Sequence, residues 1–123
     1  MKPINETSLY LLVYKLQMYL YLRIKHFTKE YKFTLGQSML DLCWQTLDNI
    51  IRANLLPNEQ KAGIILKAST AFDCLKTRVR MAHELKQIPP QSYAFLIKQN
   101  TEIGIELNAW LKWAKQFESK LRT

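Results

Sequence analysis

The sequence predicts an all-α fold, an antiparallel up-down four-helix bundle with residues 1–123 as one domain. Three observations carry this. Breakers are few, with prolines at 3, 57, 89 and 90 and glycines at 36, 63 and 104, and they divide the chain into four helix-length segments. No segment alternates apolar and polar residues as a half-buried strand would. The connections are short, which favours antiparallel neighbours. With 123 residues, 48% of them apolar and 23% charged, the chain can bury one core without disulfides or metals.

Segment one, Glu6 to Glu30, is apolar almost all round in its first half, where it reads LYLLVYKLQMYLYL from Leu9 to Leu22. Such a helix is buried on more than one side. Four helices cannot enclose one member fully, so a second contact surface is expected, most simply with another subunit. Tyr10, Tyr14 and Tyr21 share one side and serve either as anchors of that contact or as an internal core stripe. The run is shorter than the ~18 residues of a membrane span, and Lys15 and Gln17 interrupt it. The opening residues lack the basic start and small-residue exit of a signal peptide, so a cytoplasmic protein with no transmembrane segment is expected.

Between segments one and two stands YKFTLGQ, Tyr31 to Gln37. Thr34 and Gln37 have the spacing of a capping box at the start of helix two. Gly36 then lies in the first turn, where glycine costs roughly 1 kcal/mol relative to alanine, and a close backbone approach to a neighbouring helix is the expected compensation. A phosphate loop would need more glycines and a following Lys-Ser/Thr.

Segment two, Leu35 to Leu55, is amphipathic. Asp41, Gln45, Asp48 and Arg52 form an outward polar stripe, and Leu35, Met39, Leu42, Leu47, Ile50 and Ile51 fall mostly on the other side. Pro57 ends it and Asn58 is the expected N-cap of the next helix. Segment three, Glu59 to Gln87, carries a seam of Phe72, Leu75, Val79, Ala82 and Leu85. Segment four starts at Pro90, a residue suited to the first helical position. Its seam runs Tyr93, Leu96, Asn100, Ile103, Leu107, Trp110, Ala114, Phe117 and Leu121, with Asn100 the polar member that calls for an internal partner. Glu102, Glu106 and Trp113 share the opposite, outward face, and an exposed Trp113 marks an interface.

The chain holds no glycine-rich phosphate loop, no metal-ligand spacing and no nucleophile elbow, so no catalytic residue, metal or cofactor is expected. Cys43 and Cys74 stand apart, as in a reduced compartment. Charge is more informative. Eighteen Lys and Arg against ten acidic residues give a formal charge of +8, which favours a polyanionic partner, RNA or DNA. The blander reading is a lysine-rich surface that keeps a protein-binding adaptor soluble.

Arg78 and Arg80 rank first for phosphate or partner contact. Arg78 sits beside the apolar seam, where a cation reaches for a carboxylate, a phosphate or a partner surface. Lys76 and Arg80 share a face with Asp73 and Glu84, and surface pairing there is the plain alternative. Lys25, Lys29 and Lys32, spaced i, i+4, i+7, form the next stripe, with helix-end electrostatics as its alternative. Arg78 and His83 also match an Arg-x4-His pattern that resembles the active-site motif of HEPN-type ribonucleases, where the pair handles RNA phosphate chemistry without metal.

With YKFTLGQ, LKTRVRMAHELKQI and IGIELNAWL, the chain resembles the Avd-like four-helix bundle family, accessory variability determinant proteins of diversity-generating retroelements. The resemblance covers nearly the whole chain. Phe33, Thr34, Leu35, Gly36 and Gln37 match the entry to helix two. Leu75, Arg78 and Leu85 loosely match helix three, and Ile103, Gly104, Leu107 and Trp110 match helix four. Ile105 and Asn108-Ala109 stand where relatives often carry a basic residue and a small pair, so the resemblance puts phosphate contacts on helix three rather than helix four. It implies a non-catalytic protein, assembled as a homopentameric barrel, that binds nucleic acid and the retroelement reverse transcriptase during error-prone copying of template RNA into cDNA. Bundles encoded in ribosomal-RNA intervening sequences are similar. They carry a Ser-Ile-Pro-Ser-Asn-Ile-Ala-Glu-Gly-like stretch in helix two, where this chain reads LDLCWQTLDNIIRAN.

Overall fold

The computed structural model describes residues 8–122, with side chains through residue 118. Glu6, the expected start of the first helix, and the side chain of Leu121 lie outside the described residues. Four long helices make up the fold: α1 (Ser8–Ile24), α2 (Gln37–Leu55), α3 (Lys61–Glu84) and α4 (Pro90–Arg122). There is no strand among the described residues.

Cross-helix contacts run in opposite directions between sequence neighbours. Along α1 and α2, Cys43 Sγ points to the Val13 carbonyl, Gln17 Nε2 donates to the Leu40 carbonyl, and Gly36 meets Ile24. Ser38 of α2 contacts Arg78 of α3, and Ala53 contacts Lys61. Between α1 and α4, Ser8 contacts Glu106, and Tyr19 packs on Phe95. These pairings describe an antiparallel bundle, with α2 and α3 sharing the most extensive interface.

The core follows the expected seams. Leu9, Val13, Leu16, Leu20 and Ile24 of α1 meet Met39, Leu40, Cys43, Leu47 and Ile50 of α2. From α3 come Phe72, Leu75, Val79 and Ala82, and from α4 Leu96, Ile103 and Leu107. Burying a side chain such as Phe72 contributes on the order of 1.5–3 kcal/mol. Ala62, Ala68, Ala71 and Ala82 are all buried on α3, and small side chains there let α2 come close. The outward stripe of Asp41, Gln45, Asp48 and Arg52 is exposed as expected. Leu85 is instead exposed, because α3 ends before it. Asn100 is buried with neither amide atom hydrogen-bonded among the described residues, so the expected internal partner is not there.

The entry to α2 differs from expectation. Segment one does not run to Glu30, since α1 ends at Ile24 and the chain turns through Lys25–Thr28. Helical structure resumes at Lys29–Tyr31, widens into a π-helical turn over Lys32–Gly36, and continues as α2. Thr34 and Gln37 are therefore inside a helical stretch and form no capping box. Thr34 Oγ1 bonds back to the Glu30 carbonyl at 3.0 Å, and Gln37 Nε2 donates to Asp41 Oδ1 at 2.9 Å. Gly36 is buried and makes the expected close approach, its partner being the end of α1. Asn58 is not a cap either. It opens a short 3-10 turn, Asn58–Gln60, behind Pro57. Lys61 takes over the chemistry of this corner, donating its buried ammonium to the Ala53 carbonyl at 2.6 Å, near the negative end of α2.

Candidate nucleic-acid interface

Antiparallel packing brings the end of α1, the entry to α2, the end of α3 and the start of α4 to one pole of the bundle. Lys25, Lys29 and Lys32 lie there, but not as a stripe on one helix. The chain reverses between Lys25 and Lys29, and the last two sit at the positive start of a helical stretch. The capping alternative thus fails for them, because a helix start repels cations. None of the three makes an ion pair among the described residues. Phe33, between Lys32 and Thr34, is 68% exposed.

Arg78 and Arg80 of α3 differ in their surroundings. Arg78 is half-buried; its Nε donates to Ser38 Oγ at 3.3 Å and its Nη1 to the Cys74 carbonyl at 3.4 Å. Both acceptors are neutral, and no carboxylate pairs with it among the described residues. Arg80 is exposed and paired with Glu84 at 3.1 Å, and Lys76 with Asp73 at 3.1 Å. Such exposed pairs contribute about 0–1 kcal/mol and yield readily to a competing phosphate. Lys76 also stands 5.4 Å from the centre of the Phe72 ring.

His83 faces another way. Its ring stacks on Tyr93 of α4 at 4.0 Å and 5° between planes, and its Nδ1 lies 2.9 Å from the Ile88 carbonyl. Arg78 turns to α2 and His83 to α4, so the fold does not bring the two together as an acid–base pair. Among the described residues no group of His, Cys, Asp and Glu could hold a metal.

The expected apolar surplus on α1 takes a definite form. Leu11, Tyr14, Met18, Tyr21 and Leu22 are exposed on the side away from the core, with Met18 and Leu22 each 54% open. Tyr10 departs from the other two tyrosines. It is half-buried against the core and stacks on Tyr14 at 6.0 Å between ring centres. Tyr21 accepts a hydrogen bond from Trp44 Nε1 at 3.1 Å, which extends the apolar surface onto α2. Trp113 is exposed and meets Phe117 edge-on. Glu106, two turns before Trp113 on α4, is half-buried and accepts from Ser8 Oγ of α1 at 3.1 Å.

A family model described as bAvd-like matches residues 9–114. The chain belongs to the bAvd-like family. Its members are accessory, non-catalytic proteins, and no enzymatic family is indicated. No curated protein and no solved structure matches the chain. No helix among the described residues is long and apolar enough to cross a membrane.

In this bAvd-like chain the pole also gathers cations that the sequence reading passed over, Arg23 and Lys86 among them. They lie in different segments, 63 residues apart in sequence, and only the reversal of the chain brings them together. Leu11, Met18 and Leu22 were likewise missed beside the tyrosines, although their i, i+7, i+11 spacing is a readable signal.

Proposed function

We propose that this protein is the non-catalytic accessory subunit of a diversity-generating retroelement. In this reading it is a cytoplasmic homopentamer that binds nucleic acid and the element's reverse transcriptase, and supports mutagenic copying of template RNA into cDNA. The observation that carries the reading is the bAvd-like match across residues 9–114.

Two surfaces support it. The basic pole, with Lys25, Lys29 and Lys32, and the cations Lys76, Arg78 and Arg80 along α3 are suited to phosphates. Phe33 offers a ring on which an unpaired base can stack. The α1 stripe with Tyr14 and Tyr21, and Trp113 on α4, suits contact with further subunits, since monomers rarely leave a contiguous apolar face in water. Tyr10 supports such a contact only through its stacking on Tyr14.

Light scattering on the purified chain, alone and with the retroelement reverse transcriptase, tests the assembly. The expected mass is five times the 14.6 kDa protomer, with a heavier complex when the polymerase is added. A monomer that leaves the polymerase unbound would refute the reading.

A further inference from the structure

The two turns at the basic pole enclose a cleft of about 660 Å3. Arg23, His26, His83 and Lys86 line it, and Glu84 is the carboxylate on the same lining, already engaged by Arg80. We propose that this cleft binds a phosphomonoester, the terminal 5′-phosphate of a nucleic-acid strand. The identity of the strand rests on the nucleic-acid reading above; the phosphate chemistry rests on the cleft itself.

Arg23 gives the first reason. Its Nε is buried and has no hydrogen-bond partner among the described residues. A guanidinium with an N–H left without an acceptor is incompletely paired, and this one lines the cleft, where a phosphate would meet the same group. Lys86 gives the second, independent of the first. It holds φ at 62°, the left-handed conformation, and is the sole non-glycine residue to do so among those described. The Gln87 N–H bonds to the Ala82 carbonyl at 2.8 Å and the Lys86 N–H to the His83 carbonyl at 2.9 Å. This is a Schellman ending, whose left-handed position glycine fills without strain. An L-residue there is disfavoured by roughly 1–2 kcal/mol. A lysine kept against that preference, with its side chain on the cleft, points to use of its charge.

The walls are fixed before any ligand arrives. Gln87 Oε1 accepts the Thr28 N–H at 2.8 Å and so joins the α1–α2 turn to the α3–α4 turn. Stacking on Tyr93 and the contact with the Ile88 carbonyl hold the His83 ring. Pro89 and Pro90 bring the positive start of the 33-residue α4 to the rim. A monoester carries about −1.5 to −2 at neutral pH, whereas an internal diester carries about −1 and is flanked by sugars on both sides. A site lined by two cations, Arg23 and Lys86, therefore favours the terminal group.

An NMR titration of the full chain at low ionic strength tests this, first with inorganic phosphate, then with one oligonucleotide bearing either a 5′-phosphate or a 5′-hydroxyl. Inorganic phosphate should give saturable shifts at the amides of Lys86, Gln87 and Gln91. The 5′-phosphorylated strand should bind at least about fivefold more tightly than its hydroxyl counterpart. Lys86→Gly, which retains the turn, and Arg23→Gln should each abolish that preference. Equal affinity for the two strands with no phosphate shifts at the cleft would overturn the proposal while leaving nucleic-acid binding intact. Saturation of the cleft by inorganic phosphate, with neither strand bound, would support the phosphate site and refute the nucleic-acid reading. An unchanged preference in both variants would also overturn the proposal.

Discussion

A β-carbon on Gly36 would stand 2.6 Å from Ile24 Cγ2, nearer than two carbons can approach unless one is displaced. Ile24 is buried and ends α1, and its branched side chain has little freedom to swing away. The glycine is thus what lets the π-helical turn dock on the first helix.

Gly36→Ala should therefore destabilise the protein by roughly 1–2 kcal/mol, the overpacking cost less the gain in helix propensity. Gly63→Ala, in the first turn of α3 with no atom within 4 Å of a new β-carbon, should stabilise it by up to about 1 kcal/mol. Urea unfolding followed by far-UV ellipticity measures both. Shifts of the same sign would contradict the close approach.

The two cysteines should differ in reactivity. Burial pushes the Cys43 thiol up to about 12, whereas Cys74 is half-exposed. A thiol reagent should label Cys74 in the native protein and Cys43 only after unfolding. Stability is linked to the same group. Cys43 holds its proton more tightly folded than unfolded, so its contribution is complete below pH 9 and is lost as pH rises toward 12, at up to about 1.4 kcal/mol per unit. Lys61, lowered by desolvation, acts in the opposite sense as pH rises toward 10.5. Cys43→Ala should remove this part of the pH dependence at alkaline pH.

The two arginines of α3 should separate binding from stability. Arg80→Ala should weaken nucleic-acid or partner binding at almost no cost in stability, because its pair with Glu84 is exposed. Arg78→Ala should also weaken binding and in addition cost about 1 kcal/mol, since it strips the donor from Ser38 and from the Cys74 carbonyl. Binding unchanged in both variants would remove α3 from the interface.

Met18→Glu places a charge in the middle of the α1 stripe. Light scattering should then find the protomer mass, with helical ellipticity retained. An unchanged mass would assign self-association to another face.

Much of the fold was legible because the seams of Phe72, Leu75 and Val79 and of Leu96, Ile103 and Leu107 repeat at three and four residues. The start of helix two was not. Thr34 and Gln37 have cap chemistry, but a cap needs a non-helical backbone, and here Thr28 precedes a helix that begins five or more residues earlier. The basic residues were legible one by one. Their meeting at a single pole was not, because Arg23 and Lys86 are far apart in sequence and come together only through the two turns that Gln87 joins.

The central claim, that the basic pole binds nucleic acid, is tested most directly by the affinity for a single-stranded RNA with a 5′-hydroxyl, measured from low to physiological salt. Log affinity should fall linearly with log salt concentration, at about 0.7 per phosphate neutralised. A chain that binds no RNA at low salt, or binds it with no salt dependence, would contradict the account.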